Sequence, residues 1–315
     1  MTAKYLHISP ESSPENDILN ILLYFDIFDH PLNRDEMQNF AKMPPHKIDE
    51  GINKLESEGK IEKNKGYFSL PAKNWTAEQR ISEQNRINRY FKISQWITRL
   101  TSRFPFVRGI FISGSLSKHR ANKESDIDFF IVTAPGRLWI ARTLLILFKK
   151  VFLFNSYKYF CLNYFVDENS LEILSKTHYS ATETATIVPV YNYELYERFM
   201  EKNAWIRNYF PYANKRDSSY VVTNGRKIQR LLEIFLKPAI FNKLDDFFMR
   251  ITANHRKKKF HHMNRDTFNK AFYSEKNRSK HHPTDFQVIV QEAFERKKAE
   301  YFHKAQAHQK ASSYK

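Results

Sequence analysis

The chain has 315 residues, 42% hydrophobic and 27% charged, with 27 Phe and 17 Tyr, a composition that supports about two folded domains and excludes whole-chain disorder. Its single cysteine, Cys161, excludes an internal disulfide framework and any Cys-rich zinc site, so a reducing compartment is expected. The formal net charge of +17 is uneven: residues 1–75 carry 9 basic against 12 acidic side chains, and residues 251–315 carry 15 against 6. Such a basic field attracts polyanions, whether nucleotides, nucleic acid or anionic lipid headgroups, although it is equally a feature of a plain solvated surface. The opening MTAKYLHISPESSPEND lacks the apolar core and cleavage site of a signal peptide. The most apolar stretch, residues 138–154, is interrupted by Arg142, Lys149 and Lys150, short of the roughly 20 apolar residues of a membrane span. A cytoplasmic protein with no membrane span is the expectation.

Residues 17–28, DILNILLYFDIF, are apolar too densely for one face and predict a buried helix. Asn33, with Glu36 three residues on, predicts a capped short helix to Ala41. A third helix begins at Pro44-Pro45, aligns Ile48, Ile52 and Leu55 and ends at Gly59. Residues 60–70 predict a hairpin that turns at Asn64, Lys65 and Gly66. Three helices followed by a hairpin resemble a winged helix-turn-helix domain over residues 15–71. Its third helix would be the DNA reader. That helix sets Lys47 and Lys54 against Asp49, Glu50, Glu56 and Glu58, so an interaction or scaffolding module is the preferred reading.

Residues 76–103 predict one long helix, ended by Pro105. Arg108 to Ser113 predicts a strand that delivers the chain to Gly114-Ser115, and Asp126 to Thr133 predicts a second. Pro135-Gly136 turns the chain into a helix over 137–153, and residues 159–166 and 171–174 predict a strand pair. From Ala181 onward helical patterns dominate, including 191–209 and 227–251, with loops near 211–224 and 277–285. No internal repeat occurs.

The segment that carries chemistry is Ile112-Ser113-Gly114-Ser115, ten intervening residues, then Asp126-Ile127-Asp128-Phe129. On a strand, i and i+2 share a face, so Asp126 and Asp128 point together while Ile127 and Phe129 enter the core. Two carboxylates about 4 Å apart repel by roughly 4 kcal/mol at a surface-like dielectric, which a cation offsets. Mg²⁺ commonly binds one or two carboxylates plus substrate phosphates, so the pair suits phosphoryl or nucleotidyl transfer. Gly114 permits close backbone approach to a phosphate, and Ser115 with the amides after it can hold an anion.

This arrangement resembles the nucleotidyltransferase superfamily related to DNA polymerase β, whose pattern is a hydrophobic residue, Gly-Gly or Gly-Ser, a spacer of about ten residues, then Asp-hydrophobic-Asp/Glu-hydrophobic. Ser125 matches the Ser-Asp-hydrophobic-Asp form of the small bacterial members. The resemblance covers residues 108–175. It implies an α+β fold with a mixed sheet, and Mg²⁺ ions that help a hydroxyl attack the α-phosphate of an NTP and release pyrophosphate. With it, the chain divides into a winged-helix-like domain (1–75), a nucleotidyltransferase core (76–176) and a basic helical C-terminal region (177–315) that offers a surface to nucleic acid.

The family usually adds a third carboxylate on a later strand. Here Asn163 holds that position, and an amide cannot accept a proton although its oxygen can ligate or position. Glu172 could substitute from the neighbouring strand, its alternative being an exposed strand residue; Glu183 on the following helix is a weaker candidate. Lys118, His119 and Arg120 lie in the spacer, where Lys118 and Arg120 could meet triphosphate oxygens or simply be solvated. The pairs His261-His262 and His281-His282 lack an i, i+4 metal spacing, and no P-loop, dinucleotide-binding or zincin motif occurs. Two functions follow: an Mg²⁺-dependent transferase moving an NMP onto a hydroxyl, or a catalytically degenerate nucleotide- or RNA-binding regulatory protein.

Overall fold

The structure, a computed structural model, describes residues 13–71, 77–224, 226–236, 240–281 and 286–313. Most of the opening segment and His282 lie outside them. The chain forms two compact units, Met1–Arg80 with Arg207–Asn214 and Val290–Lys315, and Ile81–Ile206 with Lys215–Ile289.

In the first unit, α1 (Pro14–Asp26) starts where the Ser13 hydroxyl accepts from the Asn16 N–H, and it buries Ile18, Leu19, Leu22 and Leu23. After β1 (Leu32–Asn33), a reciprocal Asn33/Glu36 capping box opens α2 (Arg34–Phe40). Helix α3 (Pro45–Ser57) buries Ile48, Ile52 and Leu55, the stripe its spacing predicts. β2 (Glu62–Asn64) and β3 (Tyr67–Ser69) form a hairpin turned by Lys65 and Gly66, both at positive φ, and the antiparallel sheet runs β1-β3-β2.

The second unit begins within α4 (Ala77–Thr101) and is built on a six-stranded mixed sheet. Its chain order is β4 (Val107–Ser113), α5 (Gly114–Ser117), β5 (Asp128–Thr133), α6 (Leu138–Phe152), β6 (Cys161–Asp167), α7 (His178–Thr186), β7 (Val188–Tyr191) and α8 (Tyr193–Lys202). After a 3₁₀ turn (Ala204–Asn208) come α9 (Lys227–Leu236), α10 (Ile240–Lys259), α11 (Arg265–Ala271), β8 (Phe272–Ser274) and β9 (Arg278–His281). Spatial order is β7-β4-β5-β6-β9-β8; only β5 and β6 are parallel, joined by the α6 crossover. Phe129, Ile131, Phe165 and Val166 are buried, as suits central strands covered on both faces. The last helix, α12 (Phe286–Ser313), returns to the first unit from Val290 on. There Phe294 meets Tyr24 edge-on and Lys297 pairs with buried Asp26.

Several expectations need correction. Residues 171–174 form no strand, because buried Asn203 takes their backbone groups: its amide donates to the Leu171 carbonyl and its Oδ1 accepts from the Ile173 N–H. The region after 177 is not purely helical. β7 is a four-residue run just before a strong helical pattern, and β9, Arg-Ser-Lys-His, has no apolar alternation and owes its state to pairing with Tyr164, Phe165 and Val166. Within the stretch expected as helix over 227–251, residues 227–236 (α9) and 240–251 (the start of α10) are helical, and 237–239 lie outside the described residues.

Candidate active site

β4 runs antiparallel to β5, and β5 parallel to β6, so the end of β4 and the starts of β5 and β6 share one sheet edge. Ser113 pairs with Asp128, and Asp128 with Cys161. Gly114 follows β4 with φ +68°, and a Cβ there would lie 2.1 Å from Asp128 Oδ2. Any side chain at 114 would therefore displace the carboxylate, and the left-handed backbone favours glycine independently.

Asp126 precedes β5 rather than lying on it, yet the two aspartates still converge. Ligand atoms of Asp126, Asp128 and Cys161 all lie within 4.8 Å of one another, and they form the one such metal-ligating group among the described residues. The charge inside this cluster is costly. Burial, then the charges of Asp126 and Glu183, push the Asp128 carboxyl up to about 7. Burial and the same two aspartates push the Cys161 thiol well above its usual range, which keeps it neutral. Burial lowers Lys149, whose ammonium sits 3.6 Å from the Tyr157 ring centre, while Cys161 and Asp126 act to raise it.

Asn163 lies against Asp128: its Nδ2 donates to Asp128 Oδ1, and its Oδ1 accepts from Cys161 Sγ at 3.2 Å. Glu172 does not join the site. It follows the far end of β6, is exposed, and pairs with Lys176 at 2.7 Å, which holds its carboxyl below the usual range. The third carboxylate brought toward Asp128 is Glu183 of α7, because β7 begins beside Ile112 and so sets the end of α7 at the same edge. Lys118 ties this side together, its ammonium 2.8 Å from Glu183 and 2.9 Å from the Gly114 carbonyl.

The remaining expected groups lie in the segment between β4 and β5. Ser115 lies in α5, where its carbonyl accepts from the Lys118 and Arg120 N–H groups. The Arg120 guanidinium makes no hydrogen bond or ion pair among the described residues. Ser125 closes the 122–125 turn, donating to Asn122 Oδ1 and accepting from the Asn122 N–H, both at 2.9 Å. Two residues went unassigned to the site from sequence, Cys161 and Lys149. Cys161 stands two positions before Asn163, a period that places both on one strand face; Lys149 carries no such signal.

Comparison with known proteins agrees with this geometry. Residues 93–197, from within α4 to α8, match the family model described as a nucleotidyltransferase domain. That match supports the superfamily resemblance for the segment that contains the aspartates, Gly114 and Glu183. No curated protein and no solved structure matches the chain.

Proposed function

We propose that this protein transfers a nucleoside monophosphate from an NTP to a hydroxyl acceptor, with Mg²⁺ held by Asp126 and Asp128. The observation that carries the reading is the meeting of both carboxylates with Gly114 at one sheet edge, inside the segment that matches the nucleotidyltransferase domain. The donor set suits a hard cation: two carboxylates within reach of one ion, beside a thiol kept neutral and therefore a weak competitor. Bound there, such an ion would neutralise the aspartates and charge developing on the phosphates.

The chain's own residues then have distinct tasks. Asn163 fixes the rotamer of Asp128 through its amide hydrogen bond. The absence of a Cβ at Gly114 leaves room for the Asp128 carboxylate against the backbone of the β4–α5 turn, and Ser115, Lys118, Arg120 and Ser125, in the segment between β4 and β5, would meet the phosphates of the nucleotide. Glu183, rather than Glu172, takes the acceptor hydroxyl's proton in this reading, which its charge effect on Asp128 supports, with Lys118 exchanging it for a phosphate oxygen. In the first unit, three helices and an antiparallel hairpin support a winged-helix-like module, and the acidic α3 suits a protein contact better than DNA.

Asn163 at the third position favours a second reading, nucleotide binding without transfer. Incubation with each labelled NTP, Mg²⁺ and cell extract separates the two. Transfer of label, lost in Asp126→Asn and Asp128→Asn, is the expected result; nucleotide binding with no transfer supports the second reading.

A further inference from the structure

Helix α9 is amphipathic in the reverse sense. Two of its polar residues, Gln229 and Glu233, face inward: the Gln229 amide donates to the carbonyls of Phe104 and Val107, while Glu233 accepts from the Phe106 N–H at 2.6 Å and from Arg108 at 2.7 and 2.9 Å. Its apolar residues face solvent. Ile228, Leu231, Leu232 and Phe235, at i, i+3, i+4 and i+7, together with Ile234, are between 42% and 70% exposed, whereas a helix of a water-soluble domain puts that stripe on the core. At 100° per residue these side chains cover an arc of about 160°. Leu236 at the end of α9 and Leu144 of α6 pack half-buried on one apolar cluster, and on α6 Leu147 and Val151, three and seven residues past Leu144, are exposed.

The surroundings are cationic. Arg226, Lys227 and Arg230 are exposed on one flank of α9. Beside the helix lies a cavity of about 860 Å³ whose lining includes Arg108, Arg137, Arg230 and Lys276, with Glu233 as its one carboxylate. Ile234 belongs to both the apolar face and the cavity wall. The cavity follows the end of β5 opposite to Asp128, so it is separate from the proposed metal site.

We propose that α9 and this cavity form a docking surface for an anionic phospholipid membrane, with the apolar face of α9 in the headgroup–acyl boundary and a lipid phosphate received by the cavity's arginines. Charge and shape select this occupant. A second copy would bring the same +17 and oppose Arg226, Lys227 and Arg230 with their own counterparts, whereas an anionic leaflet supplies the complement. An arc this wide and convex fits a fluid interface, in which a helix lies in plane with its apolar side down.

The test is co-sedimentation of the full chain with vesicles of phosphatidylcholine alone or mixed equally with phosphatidylglycerol. Binding to the mixed vesicles only is expected. The double variant Leu231→Ser/Phe235→Ser keeps the net charge and alters only exposed positions; it should lower partitioning about tenfold or more without lowering Tm. Arg230→Glu should weaken binding and reduce its salt dependence. No preference for anionic vesicles, or binding unchanged in the serine variant, overturns the proposal, the latter by showing mere charge adsorption. So does a dimer in light scattering that the serine variant dissolves while vesicles bind nothing. Calorimetric binding of inorganic phosphate without vesicle binding would make the cavity a soluble-anion site and also refute docking.

Discussion

A single carboxyl sets the pH behaviour of the proposed site. With no cation present, Asp128 is held near 7 against an ordinary value of 3.8. The folded protein thus keeps a proton that the unfolded chain releases in that window, so the group's contribution to stability is greatest below pH 3.8 and declines as pH rises through about 7. In chelator, Asp128→Asn should raise Tm relative to wild type at pH 8 and lose that advantage near pH 4, measurable by thermal melts across pH. A variant no more stable at pH 8 than wild type would mean the carboxylate is not destabilised by its surroundings. The two candidate third carboxylates also divide at this scale. Glu172 is exposed and pairs with its i+4 neighbour Lys176, a surface contact that solvent and salt screen. Glu172→Gln should therefore leave label transfer unchanged, while Glu183→Gln should lower it about 10²-fold or more if Glu183 is the base. Equal losses in both, or none in either, would contradict the placement of Glu183.

Elements here are held as much by polar anchors as by apolar stripes. Helix α9 depends on Gln229 and Glu233, and burial of the Glu233 carboxyl is outweighed by Arg108 and the Phe106 N–H, which keep its pKa below the usual value. Its stabilising contribution is present above the ordinary carboxyl pKa and is lost as pH falls through the depressed folded value. Glu233→Ala should cost about 1–3 kcal/mol, because the Phe106 N–H loses its acceptor and the Arg108 guanidinium is left with the longer pairing to Glu168, at 3.4 Å; chemical denaturation at pH 7 measures it. A neutral result would mean α9 is not anchored by this pair. The capping box at Asn33 and the Asn203 clamp on residues 171–173 follow the same logic, side chains meeting backbone groups that no ladder serves.

For the whole molecule, the basic C-terminal stretch is integral to both units. Residues 272–281 complete the six-stranded sheet, and the helix from Val290 packs into the first unit, with Phe294 against Tyr24 and Lys297 on Asp26. Ending the chain after residue 289 would remove the buried side chains Val290 and Phe294 together with the Lys297 partner of Asp26, a loss of roughly 3–6 kcal/mol of apolar burial. The first unit should then melt well below the second, giving two transitions in calorimetry. One unchanged cooperative transition would show that α12 adds nothing to it. Any polyanion binding by this region is accordingly better probed by charge substitutions that leave the fold intact.

The local code was strong where backbone and side-chain rules agree. The Asn33/Glu36 box, the Ile48/Ile52/Leu55 stripe, the Lys65-Gly66 turn and the Gly114 to Asp128 spacing each determine structure within a few residues, so the helices of the first unit, β4, β5 and the aspartate pair were legible in the sequence alone. What the sequence left undecided depends on distant partners. β9 became a strand because β6 offered it a ladder, residues 171–174 did not because Asn203 claimed their backbone groups, and Glu183 rather than Glu172 stands toward Asp128 because the register of β7 on β4 brings the end of α7 to that sheet edge. Hydrogen-bond competition between remote segments has no signature in a local window, and only the tertiary structure resolves it.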